Sequence, residues 1–216
     1  AYIRYNPKAV ITNVLIPYLT KKTIYLEFNT IFEFELKLLN RTIENKLYLK
    51  LMNIYKKAPH IHYVCVTKQI MTHLNEQGIA KEKLLFIQNG YKQPEVDVKQ
   101  INTNIIKSVK KFSKKYSTIG IFVGGGYAWH GEEKVFDIAK AHPDIGLIII
   151  SPSSKKSPHK KSQYNNVLKL DKQSPDTIIE IYKQCDFGIS SLNTNLKGLT
   201  ESCPLKSREY LCNGLP

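Results

Sequence analysis

The chain has 216 residues with a formal net charge of +14, a length that allows one large α/β domain or two small ones. Its sequence contains no apolar stretch near the roughly 18 residues that span a bilayer, which excludes a transmembrane segment within it. Residues 1–95 carry 14 basic and 7 acidic side chains, and residues 96–216 carry 18 basic and 11 acidic ones. The two halves are therefore equally basic. The chain lacks the concentrated basic tail that would favour a nucleic-acid partner.

Short runs of β-branched and aromatic residues alternate with longer helical patterns along the whole chain. This alternation predicts an α/β fold in which parallel sheets are covered by helices on both faces. The predicted strands are 2–5, 23–28, 62–66, 84–87, 119–123, 146–151, 167–170 and 187–190. The predicted helices are 8–20, 31–57, 68–77, 101–116, 131–142, 175–185 and 204–213.

The two ends and the middle of the sequence predict its domain organisation. The chain begins at Ala1 in a strand-like run and stops at Pro216, where a further strand is expected, so we interpret it as an internal fragment of a longer polypeptide. The stretch "QPEVDVKQINTNIIK" breaks the alternation after Gln93. We therefore expect two incomplete Rossmann-like domains, 1–95 and 96–216.

Two local runs of lysine stand out, 107–115 ("KSVKKFSKK") and 155–161 ("KKSPHKK"). The first lies on a predicted helix whose apolar residues recur every three to four positions, as in a helix with one buried face. Such runs are either solvated faces or surfaces that attract anionic membrane. The four cysteines form no C-x-x-C pair, which indicates free thiols in a reducing compartment.

Three glycines, Gly124, Gly125 and Gly126, follow the predicted strand 119–123. Glycines after a buried strand let the backbone approach a ligand closely, and the helix that starts near Gly131 directs its N-terminus to the same place. The full G-x-G-x-x-G fingerprint is not met, so a plain structural turn is the alternative. His130 either donates a hydrogen bond to a phosphate or packs its ring beside Trp129.

The last sixteen residues, "ESCPLKSREYLCNGLP", place Glu201 and Glu209 eight positions apart. Pro204 is suited to the first position of a helix, and a helix N-terminus with free N–H groups is a seat for phosphate. The two carboxylates are then able to face one pocket and accept hydrogen bonds from sugar hydroxyls. The alternative is a surface helix on which Lys206 and Glu209 form a solvated i,i+3 pair.

This E-x7-E segment resembles the donor-binding segment of family 4 glycosyltransferases, which are retaining enzymes of the GT-B fold. Three earlier segments resemble the same family in the same order, so the resemblance covers residues 62–216. They are "YVCVTKQIMTHLNEQGIAKEKLLFIQNGY", "IGIFVGGGYAWHGEEKVFDIAKAHPDIGLIIIS" and "SPDTIIEIYKQCDFGISSL".

The resemblance implies a role for each candidate site residue. Glu201 is the implied catalytic residue, contacting the sugar ring, and Glu209 is expected to hold the ribose. Many family members bind the donor diphosphate with an Arg and a Lys where this chain has Gly125 and His130, so Lys206 or Lys134 is expected to supply the cation. The implied donor-binding residues are Gly124, Gly125, Gly126, His130, Pro204, Leu205, Lys206 and Glu209.

The expected reaction moves a sugar from a nucleotide-diphosphate donor to a glycan or lipid-linked acceptor in bacterial cell-surface polysaccharide biosynthesis. The nucleotide sugar is a substrate, and neither a metal nor another cofactor is expected. We expect a cytoplasmic protein that associates peripherally with an anionic membrane face through its lysine runs, and no nucleic-acid partner. The isolated 216-residue chain is expected to be inactive. The alternatives are a noncatalytic nucleotide- or anion-binding module and a sugar-nucleotide epimerase of the same fold.

Overall fold

A computed structural model describes residues 1–19, 21–152 and 164–216; the lysine run 155–161 lies outside these ranges. The described residues form two compact units, Ala1–Asn89 with Thr194–Cys203 and Gly90–Asn193 with Pro204–Pro216. Each unit contains a four-stranded sheet whose neighbouring strands are all parallel. The α/β fold with two Rossmann-like units is therefore as the sequence predicts.

In the first unit the strands follow one another in the sheet in chain order, β1-β2-β3-β4. The strands are β1 (Tyr2–Arg4), β2 (Ile24–Phe28), β3 (Ile61–Cys65) and β4 (Leu84–Phe86). The helices are α1 (Val10–Leu15), α2 (Phe32–Leu38), α3 (Thr42–Tyr55) and α4 (Lys68–Glu76). The buried apolar residues of this unit form one core rich in aromatic rings, in which Tyr5 stacks on Phe28 at 5.3 Å between ring centroids.

The prediction of one helix over 31–57 is wrong, because the chain turns between α2 and α3. Asn40 has a left-handed φ of 55°, a conformation that asparagine tolerates better than most residues. The N–H of Arg41 bonds to the carbonyl of Leu36 and the N–H of Asn40 to that of Lys37. These two hydrogen bonds are those of a Schellman motif, which ends a helix.

In the second unit the strand order reverses. The strands are β5 (Ile119–Val123), β6 (Gly146–Ile150), β7 (Val167–Leu170) and β8 (Phe187–Ile189), in the sheet order β7-β6-β5-β8. The helices are α5 (Thr103–Ser113), α6 (Glu132–Ala141), α7 (Pro175–Tyr182) and α8 (Leu205–Cys212). The chain runs outward from β5 to β7 and then returns to the other side of β5, so a topological switch point lies between β5 and β8, where open α/β sheets bind ligands.

The basic helix α5 belongs to the core of the second unit. Ile106, Val109 and Phe112 are buried, whereas Lys107, Lys110 and the other lysines of 107–115 are exposed. Packing therefore accounts for the apolar stripe of this helix, and the lysines form its solvated face.

The segment Thr194–Cys203 packs with the first unit, although the sequence places it inside the expected domain 96–216. Leu199 is buried in the core of the first unit, and Lys197 forms an ion pair of 2.6 Å with Glu35. Gly198 has a φ of 64°, and a Cβ there would lie 2.6 Å from the ring of Phe34. An apolar anchor, an ion pair and a close backbone approach thus hold this segment on the first unit.

Candidate functional site

A cavity of about 620 Å³ lies in the second unit, at the carboxyl ends of β5, β6 and β7. Ligands of open α/β sheets bind outside this edge, where the strands end and the loops diverge. Among the predicted site residues, Gly124, Gly125 and Glu209 line this cavity. The other lining residues are Val123, Ile150, Ser151, Pro152, Lys172, Gln173, Pro175 and Ile178.

Residues 124–126, here called the glycine loop, continue directly from β5. The N–H of Gly124 still bonds to the carbonyl of Ile150 at 2.9 Å, and a Cβ at Gly124 would lie 2.6 Å from the ring of Phe122. Gly126 has a left-handed φ of 74°. A side chain at Gly124 would require the buried ring of Phe122 to move, so glycine is required here for packing as well as for access to the cavity.

His130 closes the glycine loop on itself. Its Nδ1 accepts a hydrogen bond of 2.8 Å from the N–H of Gly125, so in the neutral ring the proton is on Nε2. The His130 ring is nearly perpendicular to the rings of Trp129 (88°) and Tyr127 (87°). The rings of Trp129 and Tyr127 stack on each other, with 4.5 Å between their centroids. The predicted packing beside Trp129 is present, and the Gly125 N–H already has an acceptor within the loop.

Tyr210 fixes α8 at the switch point between β5 and β8. Its hydroxyl accepts a hydrogen bond from the N–H of Val123 at 3.0 Å and lies 3.3 Å from the carbonyl of Ile189. The ring packs against Gly188, where a Cβ would lie 2.3 Å from it. Tyr210 is not among the site residues that the sequence predicts. Its signal in the sequence is the glycine at position 188 within β8, since a strand glycine often marks a close approach of another element.

Glu209, the residue before Tyr210, is half-buried and lines the cavity. Burial raises the pKa of its carboxyl, and the hydroxyl of Tyr182 acts in the opposite direction. A carboxylate at the wall of a cavity can accept hydrogen bonds from two hydroxyl groups at once. Glu209 is therefore suited to a ligand that carries neighbouring hydroxyls.

Lys206 and Glu209 do not form the solvated surface pair that is the alternative to a donor site. The Nζ of Lys206 is buried, has no hydrogen-bonding partner among the residues that the structure describes, and lies 4.5 Å from the centre of the Phe122 ring. Burial lowers the pKa of this ammonium to about 8. Because the Phe122 ring also lies next to Gly124, the cation lies beside Gly124, but Lys206 is not among the residues that line the cavity.

The residues before Lys206 form the start of α8. The prediction that Pro204 is the first helical residue is off by one position: Pro204 is the N-cap, with extended backbone angles, and Leu205 begins the helix. The hydroxyls of Ser207 and Ser190 lie 2.8 Å apart, which joins α8 to the end of β8. Lys134, the other candidate cation, donates a hydrogen bond of 3.2 Å to the carbonyl of Leu192.

Glu201 lies in the first unit, because it belongs to the segment Thr194–Cys203. It lines a second cavity, of about 260 Å³, and its Oε2 accepts a hydrogen bond of 3.2 Å from the N–H of Gln69. The other lining residues are Val66, Thr67, Phe86, Gln88, Ser202 and Cys203. Glu201 and Glu209 thus line separate cavities, one in each unit.

Within residues 1–19, 21–152 and 164–216, no three or more His, Cys, Asp and Glu side chains are grouped so that they could hold a metal ion. In the same part of the chain, no helix is both long enough and apolar enough to cross a membrane.

The chain is similar to known proteins at the level of three-dimensional structure. No protein-family model matches the chain, and no curated protein matches it. Three crystal structures of Anabaena HepE are similar: with UDP-glucose (TM-score 0.55, 13% identity, 88% of this chain), with UDP and glucose (0.60, 15%, 88%) and with UDP (0.58, 15%, 87%). The chain spans about half of HepE, 52% in each case. At this level of identity the likeness shows that the chain shares the fold of HepE.

Proposed function

We propose that the protein is a retaining glycosyltransferase of family 4 that uses a nucleotide-diphosphate sugar as donor. The observation that carries the proposal is the cavity of the second unit, in which Glu209 and the glycine loop line one space at the carboxyl ends of the strands. HepE, which shares the fold, binds UDP-glucose and UDP. The ligands of HepE therefore indicate which class of compound to test for binding in the cavity of the second unit.

The donor is held by charge and hydrogen bonds that the second unit provides. Glu209 accepts hydrogen bonds from the ribose hydroxyls, and the diphosphate binds at the N-terminus of α8, where the first N–H groups of the helix have no partner within it. Pro204 and Leu205 form this end of the helix, and Gly126 shapes the adjoining loop. Lys206, whose ammonium lies against the Phe122 ring beside Gly124, neutralises the phosphate charge.

Transfer requires the bond between the anomeric carbon and the diphosphate to break. Negative charge then develops on the leaving phosphate, where the dipole of α8 and the ammonium of Lys206 stabilise it. The Nε2–H of His130 is a further donor to phosphate. Glu201 contacts the sugar ring and stabilises the positive charge that develops at the anomeric carbon, so it is the proposed catalytic residue.

The acceptor is a glycan or a lipid-linked glycan, and the setting is polysaccharide biosynthesis at the cytoplasmic face of a bacterial membrane. The exposed lysines of α5 support this proposal, because each basic residue near an anionic surface contributes about 1 kcal/mol to binding. Domain 1–95 is the proposed acceptor side and domain 96–216 the proposed donor side, with Glu201 presented on the first unit.

The test is calorimetric titration of the full-length protein with UDP, UDP-glucose and other nucleotide sugars, followed by NMR analysis of the products. We expect binding of a nucleotide sugar and transfer with retention of the anomeric configuration. Binding without turnover would indicate a noncatalytic module, and interconversion of the donor sugar would indicate an epimerase. If no nucleotide or nucleotide sugar bound, the proposal would be wrong.

A further inference from the structure

Gln69 joins the start of α4 to the segment that carries Glu201. Its side-chain Oε1 accepts hydrogen bonds from the N–H groups of Thr200 at 2.8 Å and Glu201 at 3.2 Å, and its Nε2 donates to the carbonyl of Gly198 at 2.8 Å. Its own N–H donates to Oε2 of Glu201 at 3.2 Å. One residue thus bonds to both the main chain and the carboxylate of Glu201.

The contact with the carboxylate is favourable for a second reason. Gln69 lies in the first turn of α4, which begins at Lys68 after the N-cap Thr67. The N–H groups of a first turn have no acceptor within the helix, and this end of the helix carries a partial positive charge. A carboxylate has more acceptor capacity than one N–H uses, so Glu201 can still accept a hydrogen bond from a ligand in its cavity.

The segment is anchored independently of Gln69. Leu199 is buried in the core, Lys197 is paired with Glu35, and the side chain of Asn89 donates to the carbonyl of Cys203 at 2.6 Å. Loss of the Gln69 side chain would therefore leave the segment docked at both ends and release only the part around Glu201.

We infer that Gln69 is the positioning residue for Glu201, an inference that rests on the proposed function. Catalytic groups act only when they are held close to the productive geometry, and a carboxylate on a loop needs a rigid support. Gln69 supplies that support from a helix by fixing the main chain of Glu201 from one side and the carboxylate from the other.

The test compares Gln69→Ala, Glu201→Gln and the double variant in the full-length enzyme, with UDP as the probe of binding and release of UDP from UDP-glucose as the measure of turnover. We expect Gln69→Ala to lower kcat about 10- to 100-fold while the Kd of UDP changes less than about twofold. In the double variant the two effects should not multiply, because residues that act through one group are coupled. Gln77→Ala, an exposed glutamine that follows α4, is the matched control and should leave kcat unchanged.

A second measurement does not depend on activity. Hydrogen exchange of the Thr200 and Glu201 amides should be about 10-fold or more faster in Gln69→Ala, because both lose their acceptor, while the core strand β3 should exchange as in the wild type. Equal exchange rates in the two proteins, or an unchanged kcat, or a loss of kcat that multiplies fully with that of Glu201→Gln, would overturn the role of Gln69. Failure of the wild type to bind UDP, UDP-glucose or any other nucleotide sugar would instead count against the proposed function, and the exchange result would still decide whether Gln69 holds Glu201 in place.

Discussion

At the scale of single residues, Lys206 shows most clearly how a site can cost stability. An ammonium in a partly apolar environment without a hydrogen-bonding partner is unfavourable, and the lowered pKa of Lys206 expresses this cost. Functional sites often retain such groups because an incoming ligand satisfies them. For Lys206 the expected ligand is the diphosphate of the donor.

We therefore expect Lys206→Met to stabilise the protein and to weaken nucleotide binding. A change in pKa from 10.5 to about 8 corresponds to about 3 kcal/mol at most, so an increase of about 1 to 3 kcal/mol in the free energy of unfolding at pH 7 is expected. The affinity for UDP should fall about 10- to 100-fold. Denaturant unfolding and calorimetry measure the two effects, and Lys183→Met, at an exposed lysine paired with Glu180, is the control. A less stable variant with unchanged affinity would contradict the role of Lys206.

The pH dependence of this effect has a definite sign. Below about pH 8 Lys206 is protonated in both the folded and the unfolded state, so the cost of burying its charge is fully present. Between about pH 8 and 10.5 the unfolded state binds more protons, and the wild type gains stability relative to the variant. The stabilising effect of Lys206→Met should therefore shrink across this range. The affinity of the wild type for UDP should decline over the same range, since the cation is lost.

The two carboxylates are expected to respond differently to substitution. Glu209→Ala removes a charged acceptor from the ribose, which costs about 1.5 to 3 kcal/mol, and should weaken UDP and UDP-glucose binding alike by about 10- to 100-fold. Glu201→Gln should lower kcat more than it changes the affinity for UDP, because it removes charge near the reacting carbon. Calorimetry and turnover at saturating donor separate the two. Unchanged affinity and turnover in both variants would leave Glu201 and Glu209 as ordinary charged residues.

At the scale of elements, the hydroxyl group of Tyr210 is one of the contacts that set the position of α8. Tyr210 connects α8 to the ends of β5 and β8, and burial raises the pKa of its hydroxyl, which therefore stays protonated as a donor. The helix in turn carries Lys206 and Glu209. An error in its position would displace the cation and the carboxylate together.

We expect Tyr210→Phe to lower both stability and nucleotide affinity. The substitution leaves the N–H of Val123 and the carbonyl of Ile189 without this partner, which costs about 1 to 3 kcal/mol. The matched control is Tyr55→Phe in the first unit, where the buried hydroxyl donates to the carbonyl of Asn13 at 2.5 Å. Both variants should be less stable in urea, and only Tyr210→Phe should bind UDP more weakly. Equal affinities in the two variants would show that α8 does not depend on this hydroxyl.

At the scale of the whole molecule, the even spread of positive charge leaves membrane association to local surfaces. Substitution of Lys107, Lys110 and Lys111 by Glu should reduce cosedimentation with anionic vesicles at low salt and leave the weak binding to neutral vesicles unchanged. The same substitution at Lys46, Lys50 and Lys57, which are exposed lysines of the first unit, controls for net charge. If the two triple variants sedimented equally, the exposed face of α5 would have no special role.

The sequence predicts local structure well where one pattern dominates. The eight strands found in the described part of the chain occur where β-branched and aromatic runs predict them, because burial on both faces of a parallel sheet needs continuous apolar residues. The break at Asn40 was missed, since the helical pattern continues across it and only the backbone angle ends the helix. The docking of Thr194–Cys203 was missed for another reason: its partners Glu35 and Gln69 are far away in the sequence, and no local pattern encodes such contacts.

The candidate site was predictable in part for the same reasons. Gly124, Gly125 and Glu209 line one cavity, as expected from glycines at a strand end and a carboxylate on a nearby helix. The inward position of Lys206 was not predictable, because an i,i+3 lysine and glutamate on a short helix fit a surface pair equally well. The inward position is favoured by the Phe122 ring, which is buried in β5 and attracts the ammonium group of Lys206.

The stacked pair of Tyr127 and Trp129 beside the glycine loop provides an intrinsic fluorescent probe of that loop. Trp129 is the one tryptophan of the 216-residue sequence, and it stacks on Tyr127 next to the His130 ring that accepts the Gly125 N–H. Indole emission therefore originates at the glycine loop alone. A ligand that takes the Gly125 N–H from His130 would remove one contact of that ring and change the surroundings of the indole, so occupancy of the loop can be followed by the intrinsic fluorescence of the unlabelled protein.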